Sequence, residues 1–189
     1  MRAISPPAQS HIASCFQSNH TTGIVSMPDP VITQRTVHVE HIKIEISKPF
    51  AEVKAALEEL VPTLDSTIPE ALRQGDIGRA KEALQRGPPL AIFSARDHGG
   101  LLRIAGIARK AVQYEIGNPL TATRMTQREL PASLYAPLRV VLYENEDGRA
   151  VFEYDRPSSL FGQFGDERVT WVARELDASL ESLLVKAAG

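Results

Sequence analysis

The chain has 189 residues, 43% of them apolar and 23% charged, enough to build a core of ordinary size and too apolar for global disorder. A formal net charge of −2 and a pI near 6.2 give no electrostatic footprint for nucleic acid or an anionic membrane. A single cysteine, Cys15, excludes an internal disulfide, and no apolar run approaches a membrane span or a secretory signal, so a cytoplasmic protein is expected.

Residues 1–34 are rich in Ser, Pro, Thr and Gln and lack any sustained period, which predicts a disordered tail. Met27 offers an alternative start. From residue 35 onward the pattern predicts a single domain. In "HIKIEIS", Ile42, Ile44 and Ile46 alternate with polar residues, the signature of a half-buried strand. Val37 and Val39 lie on the opposite phase, so a bulge or break is expected near Glu40-His41. Ser47 is the expected cap of a following helix, with Pro49 in its first turn and Phe50, Val53, Leu57, Leu60 and Val61 as its apolar stripe. The stretch 63–88 predicts two short helices, the second with Ile77, Ala80 and Leu84 on one side and stopped by Gly87-Pro88-Pro89.

"LAIFSA" is a continuous apolar run, most simply a central strand. In "RDHGGLLRIAGIA", Asp97 is placed to cap a helix that Gly99, Gly100 and Gly106 weaken. "KAVQYEI" predicts a strand that runs into Gly117-Asn118-Pro119. There Gly117 suits positive φ, Asn118 a cap and Pro119 a first helical turn. Next, "APLRVVLYENEDGRAVFEYDRP" predicts a hairpin. A three-residue loop pairs Asn145 with Arg149, Leu142 with Phe152 and Val140 with Tyr154; on the other face Val141 meets Glu153 and Arg139 meets Asp155. A two-residue loop would set Leu142 beside Glu153. "SSLFGQFGDE" is read as a loop whose Phe161 and Phe164 either form a lid over a cleft or, the preferred reading, plug the last helix. That helix begins at Asp166 and follows the spacing of Val169, Val172, Ala173, Leu176, Leu180 and Leu184. The expected fold is α+β in two layers, a mostly antiparallel sheet with its helices on one face.

"ARDHGG" (95–100), "GNPLTATRM" (117–125) and "LYAPLRVVLYENEDGRAVFEY" (134–154), in this order, resemble the bacterial and archaeal domain of unknown function 302 family. The resemblance covers about 36–187. It implies a β-α-β4-α fold similar to that of the TATA-binding protein, and brings no established activity. The helical insertion at 63–88 and Ala122, where many members have Gly, depart from the family pattern.

For chemistry, exposed N–H groups at the helix start after Asn118 would suit an anion or carbonyl, with Thr121, Thr123 and Arg124 nearby. The alternative is a purely structural corner. His98 beside Asp97 is the candidate acid/base, against the plainer reading of a structural histidine. Tyr114, Tyr135, Tyr143 and Tyr154 are pocket candidates or half-buried sheet residues. No metal site is nominated, because His38 and His41 fall on opposite faces of an extended segment, and no cofactor is implied. Familiar catalytic motifs are missing. The leading expectation is a small polar or anionic ligand in a cleft near His98 and Asn118, held by Asp97, His98, Asn118, Thr123, Arg124 and Tyr154. The alternatives are a homodimer or partner surface on the sheet face of Arg139, Val141, Glu153 and Asp155, and an enzyme using His98 with a tyrosine.

Overall fold

The computed structural model describes residues 30–189. The chain divides into residues 1–35 and a compact unit, Thr36–Gly189. Most of the expected tail, together with Cys15 and Met27, lies outside the described residues.

The compact unit holds strands β1 (His41–Pro49), β2 (Ala91–Asp97), β3 (Ala111–Gly117), β4 (Leu138–Glu144) and β5 (Arg149–Asp155) in the order β1-β5-β4-β3-β2, every neighbouring pair antiparallel. The helices are α1 (Phe50–Leu60), α2 (Thr67–Arg73), α3 (Ile77–Arg86), α4 (His98–Leu102), α5 (Pro119–Thr126), α6 (Pro157–Phe161) and α7 (Glu167–Ala188). This is the expected α+β fold. Helix α7 turns Val169, Val172, Ala173, Leu176, Leu180, Leu184 and Ala187 inward, and α1 adds Phe50, Val53 and Leu57. They meet the inward residues of the sheet, among them Tyr114, Ile116, Val140, Leu142, Phe152 and Tyr154, in one buried cluster.

Local chemistry fixes several elements. The β4–β5 hairpin has the three-residue loop: the Asn145 N–H donates to the Arg149 carbonyl at 2.8 Å, and Gly148 takes φ +77°. Leu142 pairs with Phe152, Val140 with Tyr154 and Val141 with Glu153. Asp155, expected opposite Arg139, accepts from His41 instead at 2.9 Å, because β1 closes that side of β5. Asp166 caps α7 by accepting from the N–H groups of Arg168 and Val169.

The break expected near Glu40-His41 is present, since strand β1 starts at His41 with Val37 and Val39 before it; a further irregularity falls between Glu45 and Pro49. Four expectations are corrected. Ser47 is no cap: Lys48 precedes a proline and stays extended, the strand runs on, and Pro49 itself holds the N-cap position with ψ 148°. Strand β2 is an edge strand rather than a central one. Its apolar start is buried because the segment after α1 covers that edge: Ile92 donates to the Pro62 carbonyl and accepts from the Leu64 N–H, both at 2.9 Å. The "SSLFGQF" loop is the short helix α6 and a 3-10 turn, Gly162–Phe164. Phe161 is fully buried there, edge-on to Tyr135 at 6.1 Å between ring centroids. On α3 only Ala80 is buried, and Ile77 is exposed.

The sheet face away from α1 and α7 carries charges paired sideways. His41 stands between Asp155 (2.9 Å) and Glu153 (3.0 Å), Tyr143 donates to Glu153 at 2.6 Å, and Arg96 lies 3.2 Å from Glu115.

Candidate functional site

Strands β2 and β3 separate the two halves of the expected cleft. Asp97 pairs with Val112 at one end of their ladder and Ala91 with Gly117 at the other. At the strand rise of about 3.4 Å per residue, the two ends lie roughly 17 Å apart. Asp97 and His98 therefore belong to one end and Asn118 to the other, and the fold builds separate clefts there.

At the Asn118 end the corner is assembled as its residues dictate. Asn118 is extended (φ −139°, ψ 122°), as a residue before proline prefers, and Pro119 opens α5. Asn118 Oδ1 accepts from the N–H groups of Leu120 (2.8 Å) and Thr121 (3.2 Å), and its carbonyl accepts from Ala122 (2.9 Å). Proline has no N–H, so every donor of the first turn is taken. The helix start is occupied by the cap itself, which leaves no cradle for an anion. Gly117 is not left-handed as expected. It packs closely: a Cβ there would stand 3.4 Å from Pro137 Cβ and 3.6 Å from the Phe93 ring, ordinary van der Waals contact.

Thr123 Oγ1 donates to the Leu120 carbonyl at 2.8 Å. Arg124 is drawn onto α7, 2.9 Å from Glu175 and 5.2 Å above the Trp171 ring. Tyr154 is buried in the core, paired with Ile42 and Val140, and burial pushes its hydroxyl pKa up. Of the six expected ligand residues, only Asn118 and Thr123 share a cavity. It encloses about 220 Å³ between α5, the end of β3, the 136–138 segment and α7, with Phe93, Met125, Phe161 and Leu176 in its wall.

At the Asp97 end lies a groove of about 510 Å³ between α1, the ends of β2 and β3, and the α4–β3 connection. Phe50, Lys54 and Glu58, spaced four apart on one face of α1, form one bank. Ala95, Asp97, Gly99, Gly100, Arg103, Arg109, Lys110, Ala111 and Val112 form the other. Four cations, Lys54, Arg103, Arg109 and Lys110, stand against two carboxylates, Glu58 and Asp97. Asp97 caps α4, accepting from the Gly100 N–H at 2.8 Å. Gly99 allows α4 to lie directly on the returning chain: a Cβ there would meet the Arg109 carbonyl oxygen at 2.5 Å and the Ala111 nitrogen at 2.9 Å.

Polar contacts order this groove. Lys54 Nζ sits 2.7 Å from Glu58 Oε2, and Tyr114, buried below, donates from its hydroxyl to Glu58 Oε1 at 3.0 Å. Burial first, and the Glu58 carboxylate second, push the Tyr114 hydroxyl well above its ordinary pKa, so it stays a donor. Lys110 reaches the Glu144 carboxylate at 2.7 Å and Arg109 the Glu144 carbonyl at 3.3 Å. The Arg103 guanidinium has no partner among the described residues, its backbone alone bonding Gly100, Leu101 and Gly106. His98 is exposed and outside the lining, with no hydrogen-bond partner among the described residues; the Tyr114 and Tyr143 hydroxyls are committed to Glu58 and Glu153.

The groove residues on α1 and the bulged Phe93 escaped the sequence reading. One signal for the groove was present: from His98 to Tyr114 the chain has three basic residues and no acidic one. Among the described residues no helix is long and apolar enough to cross a membrane, and no group of three or more His, Cys, Asp or Glu is placed to hold a metal ion.

A sequence profile described as Domain of unknown function DUF302 matches residues 77–187, more than half of the chain. The chain belongs to the DUF302 family. Its fold is similar to the crystal structure of an uncharacterized conserved DUF302 protein from Bacillus stearothermophilus, with a TM-score of 0.57 and 19% sequence identity over 78% of this chain and 97% of that one. No curated protein matches the chain. The α5 corner and its cavity fall within the DUF302 match, as does the α4 bank of the basic groove, whereas Phe50, Lys54 and Glu58 precede it.

Proposed function

We propose that this DUF302 protein binds a small anionic molecule in the groove between α1 and the α4–β3 connection. The observation that carries the reading is the unpaired Arg103 guanidinium at a concave site whose four cations outnumber Glu58, Asp97 and the Glu144 partner of Lys110. A guanidinium without a carboxylate partner presents a fork that fits a carboxylate or phosphate with two parallel bonds. Lys54 and Lys110 add charge from opposite banks, and low-dielectric walls from Phe50 and Val112 strengthen their field. Glu58, itself bonded by the buried Tyr114 hydroxyl, pairs with Lys54 and orders it.

A partner surface on the open sheet face has less support, since His41, Glu153, Asp155, Arg96 and Glu115 already neutralise one another there.

Calorimetric titration with inorganic phosphate, citrate and a nucleoside monophosphate at fixed ionic strength tests the proposal. At least one anion binds, and Arg103→Ala weakens it by roughly tenfold, as loss of one charge-assisted contact does. Equal heats for wild type and Arg103→Ala, or none for any anion, overturn it.

A further inference from the structure

The cavity beside α5 has a different chemistry. It lies at the other end of β2 and β3, and its lining of Phe93, Met125, Pro137, Leu138, Phe161 and Leu176, with Ala122 and the polar residues of α5, includes no charged side chain. The irregular register between Ile92 and Ser94 leaves Phe93 unpaired in the ladder, and its ring lies against Gly117 in the cavity wall. The volume of about 220 Å³ exceeds that of an engineered apolar cavity, about 150 Å³, that admits benzene.

The polar groups of the lining are nearly all used. Asn118 Oδ1 caps α5 and its Nδ2 donates to the Pro88 carbonyl at 3.3 Å. Thr123 and Thr126 donate to the carbonyls of Leu120 (2.8 Å) and Ala122 (3.1 Å) within their own helix. Thr121 alone among the lining threonines has a hydroxyl without a partner among the described residues, and it is half-buried. Uncharged walls disfavour an ion, which would lose its hydration without compensation. An apolar body with one hydrogen-bonding group matches what the cavity offers.

From this geometry we infer a second ligand site, one that takes a compact uncharged ring compound carrying a single hydroxyl. The ring fills the space between Phe93, Met125, Phe161 and Leu176, and the ligand hydroxyl bonds Thr121 Oγ1. The site is independent of the basic groove.

Phenol, benzene and benzoate are the probes, each titrated into the full chain and followed by the methyl resonances of Met125, Leu138 and Leu176. Phenol shifts these resonances saturably, benzene binds about tenfold more weakly, and benzoate binds more weakly than phenol. Thr121→Val brings phenol down to the level of benzene and leaves benzene unchanged, a pattern that simple loss of structure does not produce. Ala122→Leu, which narrows the cavity, removes both. The inference is overturned if no probe shifts those methyls saturably, if benzoate binds as tightly as phenol, or if Thr121→Val leaves the preference for phenol intact. Should Ala122→Leu fail to fold, the Thr121→Val comparison decides alone.

Discussion

Asn118 Nδ2 donates to the carbonyl of Pro88 at 3.3 Å, so the residue that caps α5 also ties down the segment leaving α3. One side chain thus joins the family's Gly-Asn-Pro corner to the helical stretch before β2.

That double role predicts a graded response. Asn118→Ala removes the cap and the tether together and lowers stability by about 1–2 kcal/mol. Asn118→Asp keeps an oxygen for the Leu120 and Thr121 N–H groups, and a negative charge suits a helix start, so it loses less. Urea denaturation followed by circular dichroism checks the order; equal losses in the two variants would show that the tether, not the cap, dominates.

Two glycines of the α4 region are predicted to differ. Gly99→Ala drives a Cβ into the backbone of residues 109–111 and costs about 1–3 kcal/mol, the range of overpacking. At Gly106 (φ +72°) nothing lies within 4 Å, so Gly106→Ala suffers only the left-handed strain, about 1–2 kcal/mol. Because Gly99 also sets where Arg109 and Lys110 stand, Gly99→Ala weakens anion binding while Gly106→Ala spares it. Parallel denaturation and titration of the two variants test both halves.

The sheet face supplies a pH dependence. The hydrogen bonds that Asp155 and then Glu153 accept from the His41 ring raise its pKa above the ordinary value of 6.5. Its stabilising contribution is therefore fully present below 6.5 and is lost as pH rises through the raised folded value. The Glu153 pKa is lowered, first by the Tyr143 hydroxyl, so its contribution is present above 4.5 and lost as pH falls through the lowered folded value. His41 is largely solvated, which screens the pair and holds the effect under about 1 kcal/mol. The gap in stability between wild type and His41→Gln, measured in urea, is widest between about pH 4.5 and 6.5 and narrows above, whereas a gap independent of pH contradicts the ion-pair account.

How much of this was legible in the sequence depended on range. The Asp-Gly hairpin, the Asn118 and Asp166 caps and the α7 stripe are encoded within a few residues of themselves, and the structure has them as read. The edge position of β2 was not legible, because the cover over Ile92 comes from residues 62–64, some thirty positions earlier. The same holds for the site. Asp97 was found from its capping pattern, but the groove it borders needs Lys54 from α1, which nothing local connects to Arg103. That the N–H groups after Asn118 are all taken by the cap was not legible either, since it rests on a count of donors that only coordinates supply.

The most direct test of the proposed function is an amide chemical-shift map of the protein titrated with citrate at constant ionic strength. Saturable shifts are expected at Gly100, Arg103, Lys110 and Ala111, with no change at Leu120 and Thr121 and loss of the effect in Arg103→Ala. Shifts centred on Leu120 and Thr121, or the same map in Arg103→Ala, would contradict it.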